Sequence, residues 1–164
     1  TIGDAYLGLQ LLRGSYPALA AAHRAALIER FRLPDPRTAL GPDLAGIAHA
    51  MIDVSDGLIA DLGHICETSG VAATVELGRV PLSPAAEAAV AADEKSRAAL
   101  ATAGDDYELL FAAPPEADDE INSLAQGLGL RITEVGGIEA GEGMRLVDAA
   151  GGDVPLAAAG WRHF

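Results

Sequence analysis

Two hydrophobic periodicities meet between residues 50 and 62, where the chain reads A-M-I-D-V-S-D-G-L-I-A-D-L. Met51, Ile52 and Val54 form a short apolar run that favours extended backbone and predicts a buried strand. After Gly57 the spacing changes. Leu58, Ile59, Leu62, Ile65 and Cys66 recur at the helical period, predicting a helix with Asp61, His64 and Glu67 on its opposite side. Gly70 is a suitable residue to end that helix. Asp53, Ser55, Asp56 and Gly57 occupy the switch from one period to the other.

The same reading extends to the rest of the chain. Upstream, Tyr6, Leu7, Leu9, Leu11 and Leu12 supply the apolar surface of a helix over residues 4–14, and Pro17 suits the first turn of a second helix running to about residue 31. Pro34 and Pro36 disfavour helix just before them, and a weak helix over 38–48 is interrupted at Gly41-Pro42. Downstream, the pattern predicts a strand at 71–77, short helices at 85–92 and 96–101, and a buried strand at 107–113 closed by Pro114-Pro115. An amphipathic helix follows at 116–126 with Ile121, Leu124 and Leu128 inward, then a strand at 131–135. A glycine-rich turn region covers 136–143, and a last strand covers 144–147. This order predicts one α+β domain, a layered mixed sheet packed with helices.

Composition narrows the classes of function. The chain has 164 residues, enough for one domain with a real core, and half of them are hydrophobic. Eleven basic against 24 acidic residues give a net charge of −13, which argues against a nucleic-acid or anionic-membrane surface. An anionic substrate would need metal ions or a few local arginines. Cys66 is the only cysteine, so no internal disulfide can form, and a reducing cytoplasm is the expected setting. No apolar run approaches the roughly 20 residues that span a bilayer. Lys95 is the only lysine and no G-x-x-x-x-G-K-[ST] loop is present, which excludes a P-loop nucleotide site. The chain begins at Thr1 rather than Met, as a piece of a longer protein would.

Candidate chemistry concentrates in two acidic stretches. Asp53 and Asp56 straddle the strand-to-helix switch. A helix N-terminus attracts phosphate through its free N–H groups and dipole, while carboxylates hold a hard cation that phosphate also binds. Ser55 or Asp56 could instead be an ordinary helix cap, an explanation that does not cover Asp53. The spacing is not that of a calcium-binding EF-hand loop; magnesium, which takes one or two carboxylates and completes its shell with water and phosphate, fits better. The second stretch, A-G-D-D-Y-E-L-L-F, spans 103–111. Asp105, Asp106 and Glu108 would repel one another unless solvated, hydrogen-bonded or bound to a cation.

M-I-D-V-S-D-G-L-I-A-D-L followed by G-D-D-Y-E-L-L-F, framed by an early G-D-A-x-x-G-L and a terminal G-W-x-H-F, resembles the thiamine-monophosphate kinase family. More closely, it is similar to the C-terminal half of those enzymes, members of the aminoimidazole-ribonucleotide-synthase-like superfamily. The four motifs run from end to end of the chain in the family's order. The resemblance implies Asp53 and Asp56 as Mg2+ ligands, Ser55 as a contact to ATP, and Asp105 and Trp161 as contacts to thiamine monophosphate. Asp105 stands where the family pattern G-G-E-D-Y-E-L has glutamate, and Ala103 where it has glycine. A Trp face would attract a thiazolium cation by roughly 0.5–2 kcal/mol; read from the residues alone, Trp161 is rather a C-terminal anchor packed on the core.

The implied reaction is direct in-line transfer of the ATP γ-phosphoryl group to the phosphate of thiamine monophosphate, with no side-chain nucleophile. The implied whole enzyme is a cytoplasmic homodimer whose N-terminal nucleotide-binding half is absent here, so this chain alone should be inactive. One rival is another phosphoryl-transfer member of the superfamily, expected to carry T-x-G-G glycine pairs where this chain has S-D-G-L. The rival from a different class is a binding or assembly domain that keeps the fold without the catalysis.

Overall fold

The computed structural model describes residues 1–16, 18–91 and 94–155, with backbone alone for 94–96. Trp161 therefore lies outside the described residues, as does Pro17. Three helices open the chain. In α1 (Asp4–Leu12) and α2 (Ala21–Arg32), Leu7, Leu11 and Leu27 are buried and the two helices pack side by side. α2 starts at Ala21, later than the position of Pro17 suggests. The weak third helix is reduced to α3 (Leu40–Leu44), which places Leu40 and Leu44 inside.

The central switch forms as expected: β1 (Ala50–Val54) passes through a three-residue loop into α4 (Leu58–Ser69), which ends at left-handed Gly70. Then come β2 (Val71–Glu76), a single 3-10 turn (Leu77–Arg79), and α5 (Pro84–Val90), capped by Ser83 Oγ accepting the Ala86 N–H at 3.0 Å. The remaining elements are α6 (Glu94–Thr102), β3 (Glu108–Ala112), α7 (Asp118–Leu128), β4 (Gly136–Ala140) and β5 (Gly143–Val147).

The strands form two sheets rather than one. β1 pairs antiparallel with β3 as a two-stranded ribbon, with Val54 opposite Glu108 and Asp53 opposite Leu109. β2 is the middle strand of the other sheet, antiparallel to β4 and parallel to β5. α4 joins them, packing on β1 as well as on β2, β5 and α6. The core accordingly runs from Val54 and Ile59 through Leu100 to Val75, Leu77 and Leu146. The fold is the mixed α+β architecture expected, with α4 as the wedge between its sheets.

Four local expectations change. β1 is not buried along its length: Met51 and Asp53 are exposed on the outer face, because among the described residues no second layer covers that side of the ribbon. For the same reason β3 is half-buried throughout. Residues 131–135 do not form a strand, and the glycine-rich stretch after them does. Gly136 is needed for proximity rather than for a turn: it lies opposite Val75, and a Cβ there would strike the Thr74 carbonyl oxygen. Finally, α7 lies at the periphery against α3, with Ile121 and Leu124 half-buried and Leu128 exposed.

Candidate active site

The loop between β1 and α4 takes its shape from a side chain one turn into the helix. Gly57 immediately precedes α4 with φ 120° and ψ 146°, and as glycine it offers no side chain to the unpaired N–H groups of the helix start. The amides held by a side chain here are those of the loop ahead of the helix, and the side chain is Asp61. Its Oδ2 accepts the N–H groups of Ser55, Asp56 and Gly57 at 3.0, 3.1 and 3.1 Å. Asp61 is only 2% exposed, so it belongs to the buried edge of α4, not to the polar side expected of it. Burial raises its carboxyl pKa, and the three amides pull in the opposite direction. The three loop amides ahead of the helix are thus already on an internal carboxylate, and the first-turn N–H groups of α4 are not among them. Asp53 remains exposed at the end of β1 and Asp56 is half-buried in the loop.

The second acidic stretch is pressed against this loop. Gly104 packs so closely that a Cβ on it would meet the Ser55 carbonyl oxygen. The Asp105 N–H donates to that same oxygen at 2.9 Å, and the Tyr107 N–H donates to the Val54 carbonyl at 2.8 Å. Asp105 and Tyr107 both adopt positive φ, 71° and 50°, an uncommon conformation for side chains of their kind. Two motifs some 50 residues apart in sequence therefore share one edge of the molecule, with Ser55, Asp56 and Asp105 gathered there.

Its three carboxylates separate into the three arrangements that relieve their repulsion. Asp105 is exposed to solvent. Asp106 is buried and accepts the N–H groups of Gly3 at 2.6 Å and Ala5 at 3.3 Å, at the start of α1. Burial pushes its pKa up to about 7, with the nearby Asp4 charge adding to the rise and the two amides opposing it. Glu108 meets arginine: Arg37 binds it through Nε at 2.7 Å and an Nη at 2.8 Å, and Arg30 adds a contact at 3.2 Å. The pair with Glu108 chiefly accounts for the raised pKa of Arg37.

Asp56, Asp61 and His64 each offer one ligand atom, all within 4.8 Å of one another; Asp53 stands outside that group. The oxygens of Asp53 and Asp56 are the hard donors that magnesium takes, whereas Asp61 Oδ2 is already committed to three amides. His64, read as an ordinary helix-face residue, is exposed, as that reading requires. A cavity of about 430 Å³ lined by Gly63, Cys66, Glu67 and Met144 lies along the other half of α4 and includes none of these candidate residues. Sequence reasoning passed over Asp61 and Asp106. A capping argument would not have found Asp61, because the amides it accepts precede the helix rather than start it. Asp106 had no local signal, because its partners are about 100 residues away.

The chain belongs to the family of AIR synthase related proteins, C-terminal domain, which matches residues 27–149. The proteins it is similar to include thiamine-monophosphate kinases. The thiamine-monophosphate kinase of Caulobacter vibrioides is 37% identical over 99% of this chain and 46% of its own length. The solved thiamine-monophosphate kinase of Stenotrophomonas maltophilia K279a superposes with a TM-score of 0.82 at 39% identity, covering 89% of this chain and 47% of that one. AaThiL complexed with AMPPCP and TMP gives a TM-score of 0.80 at 31% identity, covering 100% of this chain and 49% of that one. The chain thus spans about half the length of the relatives it matches, and the resemblance read from its four motifs is borne out.

Proposed function

We propose that this chain is the C-terminal half of a thiamine-monophosphate kinase, contributing one wall of a site that the rest of the longer enzyme completes. The observation that carries this reading is the direct backbone contact between the S-D-G loop and the Gly104–Asp105 turn, which brings the two motifs of the resemblance to a single edge. In the reaction an oxygen of the thiamine phosphate group attacks the γ-phosphorus of ATP. The bond from that phosphorus to the β–γ bridging oxygen breaks, leaving thiamine diphosphate and ADP. The attacking oxygen is already ionised, so the site needs charge compensation and alignment more than a base.

This chain's own residues would serve those needs in distinct ways. Ser55, fixed at both ends of its backbone, would contact ATP. Asp105, exposed on its strained turn, would contact thiamine monophosphate, whose thiazolium is a permanent cation suited to a carboxylate. Trp161 is assigned to the same substrate by its terminal G-W-x-H-F motif. Arg30 and Arg37, which pack on the second motif, are bound to Glu108 and so are poorly placed to neutralise two phosphates. Asp53 and Asp56 would hold Mg2+, which when bound supplies the missing positive charge.

Assay of the full-length enzyme with ATP and thiamine monophosphate tests the proposal. Thiamine diphosphate and ADP should form in equal amounts with a strict magnesium requirement, and residues 1–164 alone should show no turnover. Normal turnover by the isolated chain would refute its role as one wall of a larger site. In the longer enzyme we expect a homodimer, which sedimentation equilibrium would reveal.

A further inference from the structure

The reaction just described makes no use of Asp61, yet Asp61 is the side chain on which the candidate loop is built. Three consecutive N–H groups converging on one point form an anion-binding concavity, normally filled by a ligand oxygen. Here Asp61 Oδ2 fills it from within the chain, at 3.0–3.1 Å from each nitrogen. Ser55 is then held from two sides, its N–H by Asp61 and its carbonyl by the Asp105 N–H at 2.9 Å. Gly104 lies so near that a Cβ on it would strike the Ser55 carbonyl oxygen. An external phosphate cannot use these three amides, so what the loop itself displays is the side chains of Ser55 and Asp56.

We infer that Asp61 is a positioning residue, the internal anion that locks the 55–57 loop so that Ser55 and Asp56 present a preformed metal and nucleotide edge. This rests on the reading of Asp56 as a metal ligand given above. The geometry sets Asp61 apart from an ordinary helix cap, because its carboxylate spans the whole loop and every amide it accepts belongs to that loop.

The test uses the full-length enzyme and its Asp61→Asn, Asp61→Ala and Leu146→Ala variants, the last a core change in β5 distant in sequence from the loop. Mn2+ binding without substrates is followed by electron paramagnetic resonance, alongside the Mg2+ dependence of turnover. Asp61→Asn should weaken Mn2+ binding and raise the Mg2+ needed for half-activation by about 10- to 100-fold, as when a group that orients a metal ligand is lost. KM for thiamine monophosphate should change little. Leu146→Ala should lower the melting temperature and leave both metal readouts as they are. In Asp61→Ala, added formate should take the vacated carboxylate position and restore part of the Mn2+ affinity, and it should do nothing for Leu146→Ala.

Unchanged Mn2+ affinity in a folded Asp61→Asn protein overturns the inference, even if the kinase reading stands. A wild-type enzyme without thiamine-monophosphate kinase activity, but with Mn2+ binding that Asp61→Asn weakens, overturns the kinase reading and supports the role of Asp61. Should neither Asp61 variant fold, hydrogen exchange on the wild-type enzyme decides. Slow exchange at Ser55, Asp56 and Gly57 supports the lock, and fast exchange at all three overturns it.

Discussion

The β1–α4 junction and the loop before β3 each pair a buried aspartate that accepts backbone amides with an exposed one, Asp61 with Asp53 and Asp106 with Asp105, yet the buried aspartates act over very different ranges. Asp61 binds Ser55, Asp56 and Gly57, four to six residues before it. Asp106 binds Gly3 and Ala5, more than 100 residues away. A short-range clamp of this kind fixes the shape of a loop; a long-range clamp fixes how two parts of the fold sit together. Function should therefore be more sensitive at the first loop and stability at the second, although the residue type is the same.

Asp56→Asn in the full-length enzyme should have the largest effect. On the proposed role of Asp56 as a metal ligand, its loss should lower kcat roughly 100-fold, equivalent to about 3 kcal/mol, and raise the magnesium requirement with little change in the urea midpoint. Normal turnover at low magnesium would remove Asp56 from the metal site. Asp106→Ala should do the converse. It leaves two amide donors without their acceptor at the start of α1, which should cost about 3 kcal/mol in urea unfolding while Mn2+ binding by the folded protein is retained.

Gly104→Ala links the two loops, since its Cβ would push the Ser55 carbonyl away. We expect about 2 kcal/mol of lost stability together with a raised KM for ATP, and a fully active variant would show that the contact has no role in the site.

The smallest effect is one of pH. The folded-state pKa of Asp106 is raised from 3.8 to about 7, so between those values the native state holds more protons than the unfolded state. Its contribution is greatest in acid and is lost as pH rises through about 7, amounting to about 1 kcal/mol between roughly pH 6 and pH 8. Asp106→Asn should flatten that slope in a plot of unfolding free energy against pH. An unchanged slope would mean that the group titrates elsewhere.

Much of this molecule could be read locally. The change from strand to helical period at Gly57 placed β1 and α4, since the core side of each element is written in the spacing of Leu58, Ile59, Leu62 and Ile65. The two acidic motifs and their order were equally visible. The misreadings share a cause. Glycines at 136 and 137 read as a turn because turns use glycine often, whereas Gly136 answers to the Thr74 carbonyl of another strand. Met51 was read as buried because apolar strands usually have a second layer, and the outer face of this ribbon has none among the described residues. Asp61 was placed outside because charge is normally kept in water; three amide donors make its burial tolerable.

The order of residues by itself determined which segments become helices and strands, where the carboxylates fall along the chain, and which enzymes it resembles. Each of these depends on neighbours within a few turns or on short motifs. Only the folded chain decided which carboxylates turn inward and which stay at the surface. That choice depends on hydrogen-bond donors brought close by folding, and on backbone contacts such as Gly104 against Ser55 that exist only when distant segments meet.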